Sequence, residues 1–152
     1  MSMAVDDRSG IGAADDPASL IVVPHHPQGA SIARQRLAAE LARAVEVSPA
    51  LAADVVAVGA ELLGNAVRHA RPLPGGVIRL SWQVGRAGAD CCVTVRVTDG
   101  GAAAQVPAQR RAGPDDVDGR GLTIVAALAA RWGVDRDGLE QIVWAEVGPT
   151  AD

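Results

Sequence analysis

Apolar positions recur along this chain with two different periods, and the switches between them predict its elements. Leu20-Ile21-Val22-Val23 is a short apolar run stopped by Pro24 and reads as a strand. From about Gln28 to Val45, a first helix is expected to bury Ile32, Leu37, Leu41 and Val45 and to turn Arg34, Arg36, Glu40 and Arg43 to solvent. Ser48-Pro49 is a start signal, Ser as N-cap and Pro at the first helical position. Leu51, Val55, Val58, Leu62 and Ala66 then recur at three- and four-residue steps, the buried face of a second helix that Arg71-Pro72 ends.

Beyond the turn Pro74-Gly75-Gly76 the period falls to two. Ile78, Leu80, Trp82 and Val84 alternate with Arg79, Ser81 and Gln83, and Val93, Val95 and Val97 alternate with Thr94, Arg96 and Thr98. The segment Gly85 to Ala89 joins these runs into an antiparallel hairpin with one face packed on helices. Residues 102 to 118 show neither period, and so long an irregular stretch reads as a lid or a loop. Gly119-Arg120-Gly121 opens an apolar helix, Leu122 to Ala130, which Trp132-Gly133 is expected to end. Short strands near Val134 and from Gln141 to Val147 complete the pattern. Residues 1 to 17, rich in Gly, Ala and Asp, carry no period and are expected to form a mobile tail.

Composition narrows the function classes. The 152 residues suit one domain, and the hydrophobic 49% is mostly Ala, Val and Leu, the small-residue core of an α/β protein. All 14 basic residues are Arg, which excludes a P-loop lysine, a Schiff-base lysine and a Ser-Lys dyad. A net charge of −4, a pI near 5.3 and the lack of Phe and Tyr argue against nucleic acid as a partner. No apolar run is expected to reach the ~20 residues that span a membrane, and the Asp-rich start does not resemble a signal peptide. Cys91 and Cys92 are strand neighbours facing opposite ways, a poor disulfide pair that fits a reducing cytoplasm. His25-His26 before Pro27 reads as a surface turn.

Three stretches carry candidate chemistry. On the second helix Glu61 and Asn65 stand one turn apart on a ridge that His69 continues. A carboxylate and a carboxamide so placed suit a water or hydroxyl and a hard cation, although a polar surface stripe would look the same. Asp99 shares the parity of Val93, Val95 and Val97 and therefore aims inward at the strand end. A buried carboxylate needs a donor, either from the protein or from a ligand amine, and Gly100-Gly101 beside it permits a close approach. The amides near Gly119 and Gly121, at a helix start, suit an anion, although a plain helix cap would show the same Gly-x-Gly. Around a nucleotide, Asp99 would accept from the base amine and Asn65 would hold a phosphate-bridging Mg²⁺. The glycine amides would take phosphate oxygens, with charge from Arg68, Arg110, Arg111 or Arg120. Glu61 would orient or deprotonate the phosphoryl acceptor.

These stretches resemble the motifs of the GHKL ATPase superfamily, the Bergerat fold, and most closely the RsbW-type anti-sigma-factor serine kinases and their stand-alone actinobacterial relatives. Glu61 to Ala70 is similar to the family's N box, Thr98-Asp99-Gly100-Gly101 to the start of its G1 box, and Asp118-Gly119-Arg120-Gly121-Leu122 to its G2 box. Ile124 to Gly133 and Val143-Trp144-Ala145-Glu146 are also similar, so the resemblance covers about residues 18 to 147. It implies an α/β, two-layer sandwich over residues 18 to 148, with a mixed, mostly antiparallel sheet, helices on one face and an ATP lid at about 100 to 118. ATP and Mg²⁺ are the implied cofactors. Asn65, Arg68, Asp99, Gly101, Gly119, Arg120, Gly121 and Leu122 are the implied binding residues, Asn65 the metal ligand and Glu61 the catalytic base. The implied role is an anti-sigma factor, cytoplasmic and usually dimeric, that phosphorylates a serine on a STAS-type anti-anti-sigma protein.

The chain makes three departures from the family pattern. Ala103 stands where the G1 box has a second glycine, and Glu140-Gln141 replaces a common Gly-Lys before the last strand. Gly64 is unusual inside the N-box helix, where it costs roughly 1 kcal/mol against Ala, and close packing is the expected compensation. An ATP-sensing interaction module without kinase activity is the competing reading. A separate ATP-binding subunit of a histidine kinase would need its phospho-acceptor His on another polypeptide. A gyrase- or MutL-like ATPase would need a transducer domain.

Overall fold

The computed structural model describes residues 19–102 and 117–149, with the backbone path alone for residues 87 and 117–122. The elements run β1 (Ser19–Pro24), α1 (Pro27–Arg43), α2 (Pro49–His69), β2 (Val77–Ala87), β3 (Asp90–Asp99), α3 (Val117–Leu128), β4 (Ala129–Asp137) and β5 (Glu140–Val147). Among the described residues, five strands form one sheet in the order β1-β2-β3-β5-β4. Every pairing is antiparallel, so the sheet is not the mixed one expected. Alternation decides the layers. Ile21, Val23, Ile78, Leu80, Val93, Val95, Val97, Ala145 and Val147 are buried in one cluster with Leu37, Leu41, Val55, Val58, Leu62, Leu63 and Val125 of the helices. The helices therefore cover one face of the sheet.

Helix α1 sits rotated from its expected face. It buries Gly29, Ala33, Leu37 and Leu41, whereas Ile32 is 47% exposed and Val45, beyond the helix end, is 95% exposed. The cause is the tight entry from β1: a β-carbon on Gly29 would lie 2.0 Å from the Pro24 carbonyl oxygen. With that contact set, the buried row steps by four. Glu40 does not face solvent as expected. Its Oε1 accepts from the Trp82 indole at 2.8 Å and also from Ser19 Oγ. The indole N–H needs an acceptor at the edge of the core, and Glu40 supplies it.

Helix α2 follows its start signal, with Ser48 Oγ accepting from Leu51 N at 3.1 Å and Pro49 opening the first turn. It buries Val55, Val58, Gly59, Leu62, Leu63 and Ala66. At Gly59 it crosses α1 so closely that a β-carbon would stand 2.8 Å from Leu37 Cδ2. The expectation that no apolar run approaches membrane length needs correction. This 21-residue helix, with a mean hydropathy of 1.5 over its best window, is long and apolar enough by length and composition. Its apolar face is the one packed on α1 and the sheet.

The later boundaries also differ. The β2–β3 turn is Gly88-Ala89, not Gly85 to Ala89, because Gly85 stays in the strand opposite Cys92. Helix α3 starts at Val117 and stops at Leu128, and Trp132 and Gly133 lie inside β4 instead of ending the helix. Gly133 pairs with Trp144 of β5, whose Cζ2 would be 2.9 Å from a β-carbon there, so the glycine seats an indole across the strands. Cys91 and Cys92 are both free, Cys92 buried and Cys91 half-buried, as their alternation requires.

Candidate nucleotide site

Asp99 is the buried charged residue of the described chain, 1% exposed at the inward end of β3, where its parity placed it. Its Oδ1 accepts from Gly101 N at 2.7 Å and lies 3.4 Å from Gln141 Nε2. Oδ2 has no partner among the described residues. Burial pushes the carboxyl above the usual carboxylate range. The Gly101 N–H and the Gln141 amide oppose this, followed by the charges of His25 and Arg136.

The glycines after Asp99 have structural reasons. A β-carbon on Gly100 would fall 2.3 Å from the Pro72 carbonyl oxygen, and Gly101 holds φ +93°. The close approach anticipated here is thus made by the chain's own backbone. Gly100 N donates to Arg71 O at 2.7 Å, and Arg71 N donates to Gly101 O at 2.8 Å. A bridge between Ala70 and Ala102 continues the contact. These bonds fasten the end of β3 to the end of α2 and so bring the two motifs into one region.

His25 adds a second fastening that the sequence reading missed. Its Nε2 is 3.0 Å from Ala66 O and 2.9 Å from Ala70 O, capping the last turn of α2. Ala66 O also accepts from Ala70 N at 3.2 Å, whereas Ala70 O lies past the last helical residue, where a ring N–H is useful. His26 instead caps α1, its Nδ1 accepting from Gln28 N at 3.0 Å. The surface turn expected for the pair is therefore two helix caps. Gln141 was also missed as a partner of Asp99, although it shares the inward parity of Val143, Ala145 and Val147. The register sets Gln141 directly beside Asp99 on one side and Arg136 on the other.

Glu61 and Asn65 are both half-buried on one ridge of α2. The Glu61 carboxylate makes no hydrogen bond or ion pair with the described residues. Arg68 Nη2 donates to Asn65 Oδ1 at 3.1 Å, and Nη1 would stand 3.0 Å from a β-carbon on Gly64. Gly64 accordingly makes room for Arg68, not for a neighbouring element. Gly119, Arg120, Gly121 and Leu122 belong to the start of α3. Gly119 falls in the first turn, whose N–H groups lack acceptors within the helix, and Gly121 lies just past it. Most of the expected lid, with Ala103, Arg110 and Arg111, lies outside the described residues.

The fit to a metal ion is poor as the side chains stand. The one oxygen expected to bind Mg²⁺, Asn65 Oδ1, already accepts from a guanidinium. Among the described residues no group of three or more His, Cys, Asp or Glu is gathered for a cation. A shallow cavity of about 200 Å³ lies on the uncovered face of the sheet, lined by Thr94, Arg96, Arg131, Asp135, Trp144 and Glu146. These residues alternate with the inward ones, so this cavity is separate from Asp99.

Comparison with known proteins bears on the family and the fold. The family model described as the histidine kinase-like ATPase domain matches residues 23–146. A crystal structure of the RsbU and RsbW domains of Rv1364c from Mycobacterium tuberculosis superposes with a TM-score of 0.61 at 19% identity, over 89% of this chain and 34% of that one. The chain thus spans about a third of that protein's length, and at this identity the likeness speaks for the fold. No curated protein is a detectable sequence relative. With the match extending from β1 to β5 and enclosing Glu61, Asn65 and Asp99, the chain belongs to the histidine kinase-like ATPase domains.

Proposed function

We propose that this ATPase-family domain binds ATP with its base at Asp99 and acts as an anti-sigma factor that phosphorylates a serine or threonine of a STAS-type anti-anti-sigma partner. The observation that carries the nucleotide reading is the Asp99 carboxylate: nearly unexposed, with Oδ1 engaged and Oδ2 unpartnered among the described residues. A buried acceptor without a donor needs one, and an exocyclic amine is a donor of the right kind. Gln141 would lie beside the base. The first-turn amides of α3, including that of Gly119, would meet the phosphates together with Arg68 and Arg120, while Gly121 and Leu122 would continue the turn behind them.

Glu61 would take the proton of the attacking hydroxyl as its oxygen bonds to the γ-phosphorus and the bond to the ADP oxygen breaks. Its carboxylate has no partner among the described residues. Mg²⁺, carried in on the phosphates, would neutralise their charge. The RsbW domain in the structural neighbour supports a regulatory role of this kind, and a sigma-factor partner, a cytoplasmic setting and a homodimer belong to the same proposal. A second reading, an ATP-sensing module without phosphoryl transfer, is favoured by the engagement of Asn65 Oδ1 by Arg68.

Calorimetry with Mg·ATP on wild type and Asp99→Asn tests the nucleotide site. A loss of about 10- to 100-fold in affinity is expected, the worth of a hydrogen bond to a charged group. Equal affinity in the two proteins would remove Asp99 from the site. Transfer of the γ-phosphoryl group to a STAS protein then separates the two readings.

A further inference from the structure

Arg68 follows Gly64 by one helical turn, and its guanidinium folds back along α2. Nη2 holds Asn65 Oδ1 at 3.1 Å, while Nη1 rests where a β-carbon on Gly64 would stand 3.0 Å away. The three side-chain atoms nearest to that missing carbon, at 3.0 to 3.7 Å, all belong to Arg68. Glycine is unfavourable inside a helix, and here it leaves a seat for this side chain. A glycine, an arginine and a carboxamide thus make one arrangement that ends with a permanent positive charge on the proposed metal ligand.

We propose that Arg68 is the resident cation of this nucleotide site, standing where a protein-held Mg²⁺ would need Asn65 Oδ1, so that the chain binds ATP with little dependence on Mg²⁺. The proposal rests on the nucleotide reading given above. Three physical points favour the guanidinium. A dication placed on the same oxygen would be repelled by it at short range. Mg²⁺ gives up water reluctantly and would gain one neutral protein oxygen, with no cluster of carboxylates among the described residues to add to it. The guanidinium, already on the spot, is always charged and grips phosphate oxygens in pairs. Arg68 is exposed, so its guanidinium is accessible to an arriving phosphate.

The test is calorimetric binding of ATP and ADP to the whole chain, with Mg²⁺ present and with Mg²⁺ removed by EDTA. Wild type, Arg68→Ala and Gly64→Ala are compared, with circular dichroism to verify folding. For wild type, removal of Mg²⁺ should change Kd by less than about threefold. Arg68→Ala should bind about tenfold or more weakly in EDTA and recover much of the loss with Mg²⁺, because Asn65 Oδ1 is then free. Gly64→Ala, whose β-carbon displaces the guanidinium, should fall between them. A wild-type loss of about tenfold or more in EDTA would overturn the proposal and leave the nucleotide site standing. So would an Mg²⁺ dependence that Arg68→Ala leaves unaltered. No binding even with Mg²⁺ would overturn the nucleotide reading itself, and this inference with it.

Discussion

Gly100 and Pro72 meet so closely that a β-carbon on Gly100 would lie 2.3 Å from the Pro72 carbonyl oxygen. The contact joins the strand that ends in Asp99 to the helix that carries Asn65. Gly100→Ala must move backbone and not a flexible side chain. It should destabilise the domain by about 1–3 kcal/mol, in the range of overpacking, as read by urea denaturation. ATP affinity should fall in the same variant, because the Arg71 bonds that locate Asp99 are disturbed.

Burial raises the Asp99 carboxyl above its unfolded value, and the sign of the pH effect follows. Between the unfolded and the folded value the native state binds more protons than the unfolded chain. Stability from this group is therefore present at low pH and is lost as pH rises through that window, from about pH 4 upward. Ordinary paired carboxylates behave oppositely, so the comparison of wild type with Asp99→Asn isolates the effect. Urea titrations across this range should show the stability of wild type, relative to the variant, declining with pH. A relative stability independent of pH would contradict the raised carboxyl. ATP binding should have the opposite slope and tighten with rising pH, since the amine prefers an ionised acceptor.

Glu40 holds the Trp82 indole N–H at 2.8 Å. Glu40→Ala leaves that donor without its partner and should cost about 1–3 kcal/mol. Glu40→Gln, which keeps an acceptor, should cost less. Tryptophan emission should shift in the alanine variant, and equal denaturation midpoints for all three proteins would refute the contact.

Glu61 has no partner among the described residues, so Glu61→Ala should leave stability within about 0.5 kcal/mol of wild type. ATP affinity should also be retained. Phosphoryl transfer to a STAS partner should drop by about 10²- to 10⁴-fold, the contribution of a general base. A variant that transfers phosphate at the wild-type rate would eliminate Glu61 as the base, and a wild type that transfers none would favour the sensing module.

Much of this architecture was legible in residue order alone. The period-two runs settled the faces of β2 and β3, and parity by itself turned Asp99 inward. The start signal Ser48-Pro49 and the spacing behind it set α2 and the ridge of Glu61 and Asn65. These are local properties, decided by the geometry of one helix or one strand. The rest depended on partners far away in the chain. Ile32 turned outward because Gly29 had to pass Pro24, and Glu40 turned inward because Trp82 needed an acceptor. Gly133 looked like a helix stop until Trp144 lay across it. His25, Gln141 and Arg68 acquired their roles only when the end of α2, the end of β3 and the start of β5 met. Periodicity reports which side of an element is buried, whereas the partner of a buried polar group is chosen by tertiary closure.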